Sequence, residues 1–159
     1  MTFGSSRRIA MLWALMLVVC ASVTMVAAAQ PASAEDWTCR SSDRFDGVWG
    51  GRYTAWYPTT AKGTWDAACW LVEGDSGEGV RVLQQALNAC YNARLDVDGK
   101  FGFHTRSAME DVWREEGGVI YGEYTDAIRS HMDWPHWHTT YEQGWHSHCI
   151  DNTDGSIKY

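Results

Sequence analysis

All but one of the six histidines fall between residues 131 and 148. They include two His-x-His pairs, His136-Trp137-His138 and His146-Ser147-His148, with His131 and Asp133 nearby. On an extended strand alternate residues share a face, so each pair could offer two imidazole nitrogens to one metal ion. A catalytic metal centre also needs a rigid scaffold, partners that orient the ligands, and a general base. A tail as short as residues 135–159 supplies none of these, so neither a metal nor a cofactor is expected. The chain has no Ser/His/Asp order, no nucleophile elbow and no phosphate-cradling glycine loop, and it reads as a non-enzyme.

The cysteines point to an oxidising compartment. Arg7 and Arg8 precede an apolar run from Ile9 to Ala29, Gln30-Pro31 breaks it, and Ala32-Ser33-Ala34 is a small-x-small site. Residues 1–34 therefore read as a cleaved signal peptide, with no stable membrane insertion afterwards. The remainder keeps Cys39, Cys69, Cys90 and Cys149, an even set that in an exported chain reads as two disulfides. Three connectivities remain open. Cys69–Cys90 would close one local unit around a helix, leaving Cys39–Cys149 to tie the two flanks together. Oxidation would also consume any Cys/His catalyst.

The elements that must position these residues follow from size and pattern. The chain has 159 residues, enough for one domain plus appendages. Removing residues 1–34 takes away two arginines and no acids, leaving 11 basic against 20 acidic residues, a net charge of −9. That balance excludes a general nucleic-acid binder, which needs a basic face. A monomer is expected. The most unusual feature is the aromatic content, with 10 Trp and 7 Tyr.

Residues 35–68 are rich in Gly, Thr, Ser and aromatics, and read as loops with at most one short hairpin. Residues 69–134 carry helical periodicity. Asp75 or Ser76 can cap a first helix bearing Val80, Leu83, Leu87, Cys90 and Tyr91 on one face. Thr105 is the expected N-cap of a second, with Ala108, Met109, Val112 and Trp113 as its stripe and Gly117-Gly118 as its stop. Thr125 caps a short third helix with Ile128 and Met132 inward, ending before Pro135. Between the first two, Asp98-Gly99-Lys100-Phe101-Gly102 is a tight turn that sends one ring into the core. A weaker copy runs from Gly118 to Thr125. Residues 135–159 form a polar, His/Trp-rich tail with a turn at Asp151-Asn152-Thr153-Asp154-Gly155.

Gly74-Asp75-Ser76-Gly77-Glu78-Gly79-Val80-Arg81-Val82-Leu83-Gln84-Gln85-Ala86-Leu87 resembles the opening block of the type 1 peptidoglycan-binding domain, Gly-x-x-Gly-x-x-Val-x-x-Leu-Gln-x-x-Leu. Residues 98–109 are similar to its second block, Asp-Gly-x-Phe-Gly-x-x-Thr-x-x-Ala-hydrophobic, and residues 122–128 to its closing block. Phe103 stands where the family often has proline. The resemblance spans residues 70–132. It implies a mainly α, compact three-helix bundle with disulfide-tied, loop-rich flanks, acting as a secreted, non-catalytic module that binds peptidoglycan.

Such a ligand needs a shallow groove, where aromatic faces stack on sugar C–H surfaces and polar groups meet hydroxyls, amides and carboxylates. In this reading Tyr91, Trp113, Tyr121 and Tyr124 lie toward the groove, with Arg94, Arg106 and Arg114 as charge partners. Gln84 is expected to be semi-exposed and to support the turn. Zinc peptidases that cleave peptidoglycan use His and Asp ligands, and some carry this same domain. A zinc-dependent hydrolase is therefore the alternative from another class, and a secreted partner-binding protein on the same fold is a third.

Overall fold

The computed structural model describes residues 37–119, 121–138 and 147–158. The chain divides into two units, Met1–Ala34 and Glu35–Tyr159, and every described residue belongs to the second. The expected signal peptide and its cleavage site lie outside the described residues. Among the described residues, no helix is long and apolar enough to cross a membrane.

The elements are β1 (Ser41–Gly47), α1 (Val48–Gly51), β2 (Tyr53–Thr59), α2 (Glu78–Tyr91), α3 (Phe103–Glu115), α4 (Asp126–Arg129), β3 (Asp133–His138), β4 (Ser147–Asp151) and β5 (Ile157–Lys158). The five strands form one antiparallel sheet in chain order. The expected mainly α bundle with loop-rich flanks is therefore wrong. Three helices do occur between residues 78 and 129, but the flanks are strands. The N-terminal pair β1–β2 joins the C-terminal strands through β2–β3, with Thr54 opposite Trp137 and Ala55 opposite His136. The turn expected at residues 151–155 links β4 to β5, with Gly155 in the left-handed region.

Polar anchors, rather than a run of aliphatics, set the edges of this sheet. Asp43 on β1 is buried and accepts from the Thr59 hydroxyl at 3.2 Å and from the amides of Gly63 at 2.8 Å and Trp65 at 3.3 Å. It thereby folds the loop after β2 back over the sheet. Burial pushes its carboxyl up. The amides of Gly63 and Trp65, the Thr59 hydroxyl and the Lys62 charge outweigh that and hold it below the usual value.

Helix α2 packs against β1, β2 and β3 on one side and α3 on another. Val80, Leu83, Ala86 and Leu87 are fully buried, as the helical stripe requires. The contact with the N-terminal segment is so close that a Cβ on Gly79 would stand 2.1 Å from the Cys39 carbonyl oxygen. Only glycine fits there.

The expected caps are partly corrected. α2 starts after Gly77 with no side-chain cap, because the Asp75 carboxylate instead accepts from the Val72 amide at 2.8 Å. α3 starts at Phe103 after Gly102, which places Thr105 inside the first turn, where it is buried. Thr125 caps α4 as expected, accepting from the Ile128 amide.

All four described cysteines form disulfides, but in the pairing Cys39–Cys69 and Cys90–Cys149. Of the connectivities left open by the sequence, the one that pairs Cys69–Cys90 and Cys39–Cys149 does not form, for a geometric reason. Cys69 precedes α2 and Cys90 sits in its last turn, so a helix about 20 Å long separates them. Residues 37–39 instead run alongside 69–70: the Cys39 amide donates to Trp70 O and the Trp70 amide to Trp37 O, both at 3.0 Å. The end of α2 meets β4, which brings Cys149 to Cys90.

Candidate functional site

The turn between α2 and α3 is built around Gln84, which is buried rather than semi-exposed. Its amide nitrogen donates to Asp98 Oδ1 at 3.0 Å, Lys100 O at 3.0 Å and Thr105 Oγ1 at 3.2 Å. Its carbonyl oxygen accepts from the Gly99 amide at 2.9 Å. Gly99 has φ 72°, and a Cβ there would meet Gly77 O at 3.0 Å. Asp98 also accepts from the Lys100 amide at 2.9 Å, closing the turn as expected. The Gln84 amide, first of all, and the Lys100 amide hold the Asp98 carboxyl below its usual range. Phe101 is buried, and its amide and carbonyl bond Asp75 O and the Gly74 amide at 2.8 Å each.

This turn forms one wall of an open groove of about 730 Å³. The second wall is the segment that follows α2, including Asn92, Arg94, Leu95 and Asp96, and the outer face of α3 with Ser107, Asp111 and Glu115 closes the third side. Phe103 stands at the rim, 68% exposed, with its ring edge-on to His104 at 5.7 Å. The lining carries both charge signs: Arg94 and Lys100 against Asp96, Asp98, Asp111 and Glu115.

The seven residues expected to line a ligand groove do not converge. Tyr91 and Arg94 are on it. The Tyr91 hydroxyl is committed elsewhere, accepting from the Asp133 amide at 2.6 Å and donating to Glu116 at 2.8 Å. Burial, with the two neighbouring carboxylates, pushes this phenol far above its usual range, so the groove meets a neutral ring. Trp113 is buried and donates from its indole to Glu123 O at 2.8 Å. Tyr121 is exposed and packs edge-on against Trp113, away from the groove lining. Arg106 pairs with Glu73 and Glu110, and Arg114 pairs with Asp111. Tyr124 is core, edge-on to Trp134, and burial pushes its phenol well up. Phe103, by contrast, was legible only as a departure from a motif, and the structure makes it the exposed ring of the groove.

The tail histidines divide. His136 is fully buried on β3, opposite His148 in the register. Its Nδ1–H donates to Trp134 O at 2.7 Å, and its Nε2 faces the Tyr57 hydroxyl at 3.3 Å. Both nitrogens are thus occupied, and burial holds the imidazole below its usual pKa. Tyr57 also reaches Asn152 Oδ1 at 3.3 Å, and the Arg129 guanidinium lies over its ring at 5.6 Å. Burial raises the Tyr57 phenol. His131 is exposed. His146 and the His138 side chain lie outside the described residues. Among the described residues, no group of three or more His, Cys, Asp or Glu is placed to hold a metal ion.

No protein-family model matches the chain, and neither does a curated protein or a solved structure.

Proposed function

We propose that this chain is an exported, non-catalytic module that binds peptidoglycan through the groove between the 92–98 segment and α3. The observation that carries the reading is Phe103. An apolar ring stands exposed at the rim of a polar groove, on the first residue of a helix whose start is locked by the Gln84 turn. A ring held out in this way suits stacking on a sugar face or an apolar side chain of a wall polymer. The motif resemblance over residues 70–132 supports the same ligand. The two disulfides are consistent with an extracellular protein.

The test is retention on purified, insoluble sacculi. The mature charge of −9 opposes attraction to anionic wall polymers. Binding by stacking and short hydrogen bonds survives moderate salt, which screens charges beyond about 8–10 Å. Retention at low and moderate salt is the expected result. No retention on sacculi of several wall types refutes the function and leaves the partner-binding reading. Hydrolysis that a chelator abolishes would establish the zinc-hydrolase reading instead.

A further inference from the structure

Between the end of α2 and the Asp98 turn, every second residue is tied back to α2. The Ala93 amide donates to Leu87 O at 3.3 Å. The Asn88 carboxamide accepts from the Leu95 amide at 2.6 Å and donates to the Leu95 carbonyl at 2.8 Å. Arg81 donates to Val97 O at 2.9 Å, and Gln84 accepts from the Gly99 amide at 2.9 Å. The backbone held in this way is not extended: Asn92 has φ 53° and Arg94 φ 57°, both in the left-handed region. Asparagine takes that conformation readily, whereas arginine has no local reason to. Among the described residues, the other non-glycine residue with positive φ is Trp65, whose ring packs edge-on against Phe45 at 5.6 Å and whose amide bonds Asp43. Arg94 has no such packing. It is exposed on the groove lining. Arg44, Arg81, Arg106, Arg114 and Arg129 each pair with a carboxylate. Arg94 makes no ion pair among the described residues, although Asp96, Asp98, Asp111 and Glu115 line the same groove.

We infer that Arg94 is the anion-binding residue of the groove and takes a single carboxylate of the ligand. This rests on the peptidoglycan reading and names the group that is recognised. A planar guanidinium meets a carboxylate through two parallel, charge-assisted hydrogen bonds, stronger than neutral ones. A backbone already fixed to α2 loses little freedom when the ligand arrives. The acidic lining sets the limit on that ligand. Asp98 is engaged by Gln84 and the Lys100 amide, and Asp111 by Arg114. Asp96 and Glu115 make no ion pair among the described residues. They work against a polyanion such as a phosphate polymer, and suit a ligand with one carboxylate beside amine, amide or hydroxyl donors. Peptidoglycan offers such a carboxylate in two places: the free C-terminus of a stem peptide, and the lactyl group of a muramic acid whose peptide has been removed.

Calorimetric titration of the mature chain with four probes tests this. They are a soluble stem tetrapeptide with a free C-terminal carboxylate, its C-terminal amide, and N-acetylglucosaminyl-N-acetylmuramic acid as the free lactyl acid and as its methyl ester. The parent should bind at least one acid about tenfold tighter than its neutral counterpart, and the acid preferred identifies the source. That ratio needs no variant. Arg94→Gly should bind acid and neutral forms alike and melt close to the parent, because glycine adopts a positive φ without strain. Equal binding of acid and neutral forms by the parent, no binding of either acid, or an acid preference kept by folded Arg94→Gly overturns the carboxylate assignment. Retention of the parent on intact sacculi then leaves wall binding standing. No retention on sacculi together with no binding of any probe overturns both.

Discussion

The amide nitrogen of Gln84 stands 3.0 Å from Asp98 Oδ1, so one buried side chain of α2 sets the position of the turn that walls the groove. The same carboxamide reaches Thr105 in the first turn of α3, so helix, turn and helix are fixed relative to one another from a single point. The groove is therefore a rigid feature of the packing between α2 and α3.

Replacing Gln84 by leucine keeps the bulk and removes the hydrogen bonds. The buried Gly99 amide loses its acceptor, and the Lys100 carbonyl loses a donor. A loss of about 1–3 kcal/mol is expected, as for a buried polar group left unpaired. Denaturant unfolding checks this, and an unchanged midpoint would show that the turn holds itself.

Phe101→Ala removes a ring that is only 1% exposed. The expected destabilisation is about 3–5 kcal/mol, from lost burial plus the cavity left behind. A melting midpoint equal to the parent's would mean that the ring does not support the core.

Stability should fall on mild acidification because of His136. The unfolded imidazole takes up its proton near pH 6.5, while the buried one resists protonation to lower pH. The unfolded chain then binds more protons, so stability is fully present above about pH 6.5 and is lost as pH falls through the depressed folded value. The slope is at most about 1.4 kcal/mol per pH unit for one group. Tyr57 and Asn152 adjoin the ring network, Arg129 lies over Tyr57, and Tyr53 meets the imidazole edge-on at 6.3 Å. Urea unfolding between pH 7.5 and 5 should show a shallower slope for His136→Gln than for the parent. Parallel slopes would assign the acid sensitivity to other groups.

Peptide mapping of unreduced protein should recover Cys39–Cys69 and Cys90–Cys149. These close loops of 30 and 59 residues, each worth about 3–4 kcal/mol in the chain-entropy model. Cys39 and Cys69 are buried, whereas Cys90 and Cys149 are partly exposed, so a mild reductant should open the second bridge first. A Cys69–Cys90 peptide would contradict the packing of residues 37–39 against 69–70.

The helices were legible because their apolar residues recur at helical spacing and their ends carry glycine or threonine. The turn was legible because Asp98, Gly99, Phe101 and Gly102 each have a local reason to be there. The sheet was not. Its buried positions include Ser42, Asp43, Thr59, Asp133 and His136, which hide the alternation that marks a half-buried strand. Its pairing of β2 with β3 joins segments far apart in the chain, which no local pattern encodes. The disulfide pairing was lost with it, since Cys149 is positioned by β4. In the groove, Tyr91 and Arg94 were expected from the motif resemblance, while the place of Phe103 depends on where α3 begins.

The most direct test of wall binding through this groove is retention on sacculi of three proteins: the parent, the double variant Arg94→Ala/Phe103→Ala, and Tyr121→Ala. All three altered side chains are exposed, so melting midpoints should stay close to the parent's. The parent and Tyr121→Ala should be retained equally, and the groove variant at least about tenfold less. A folded groove variant retained as well as the parent would place the ligand elsewhere and contradict the account.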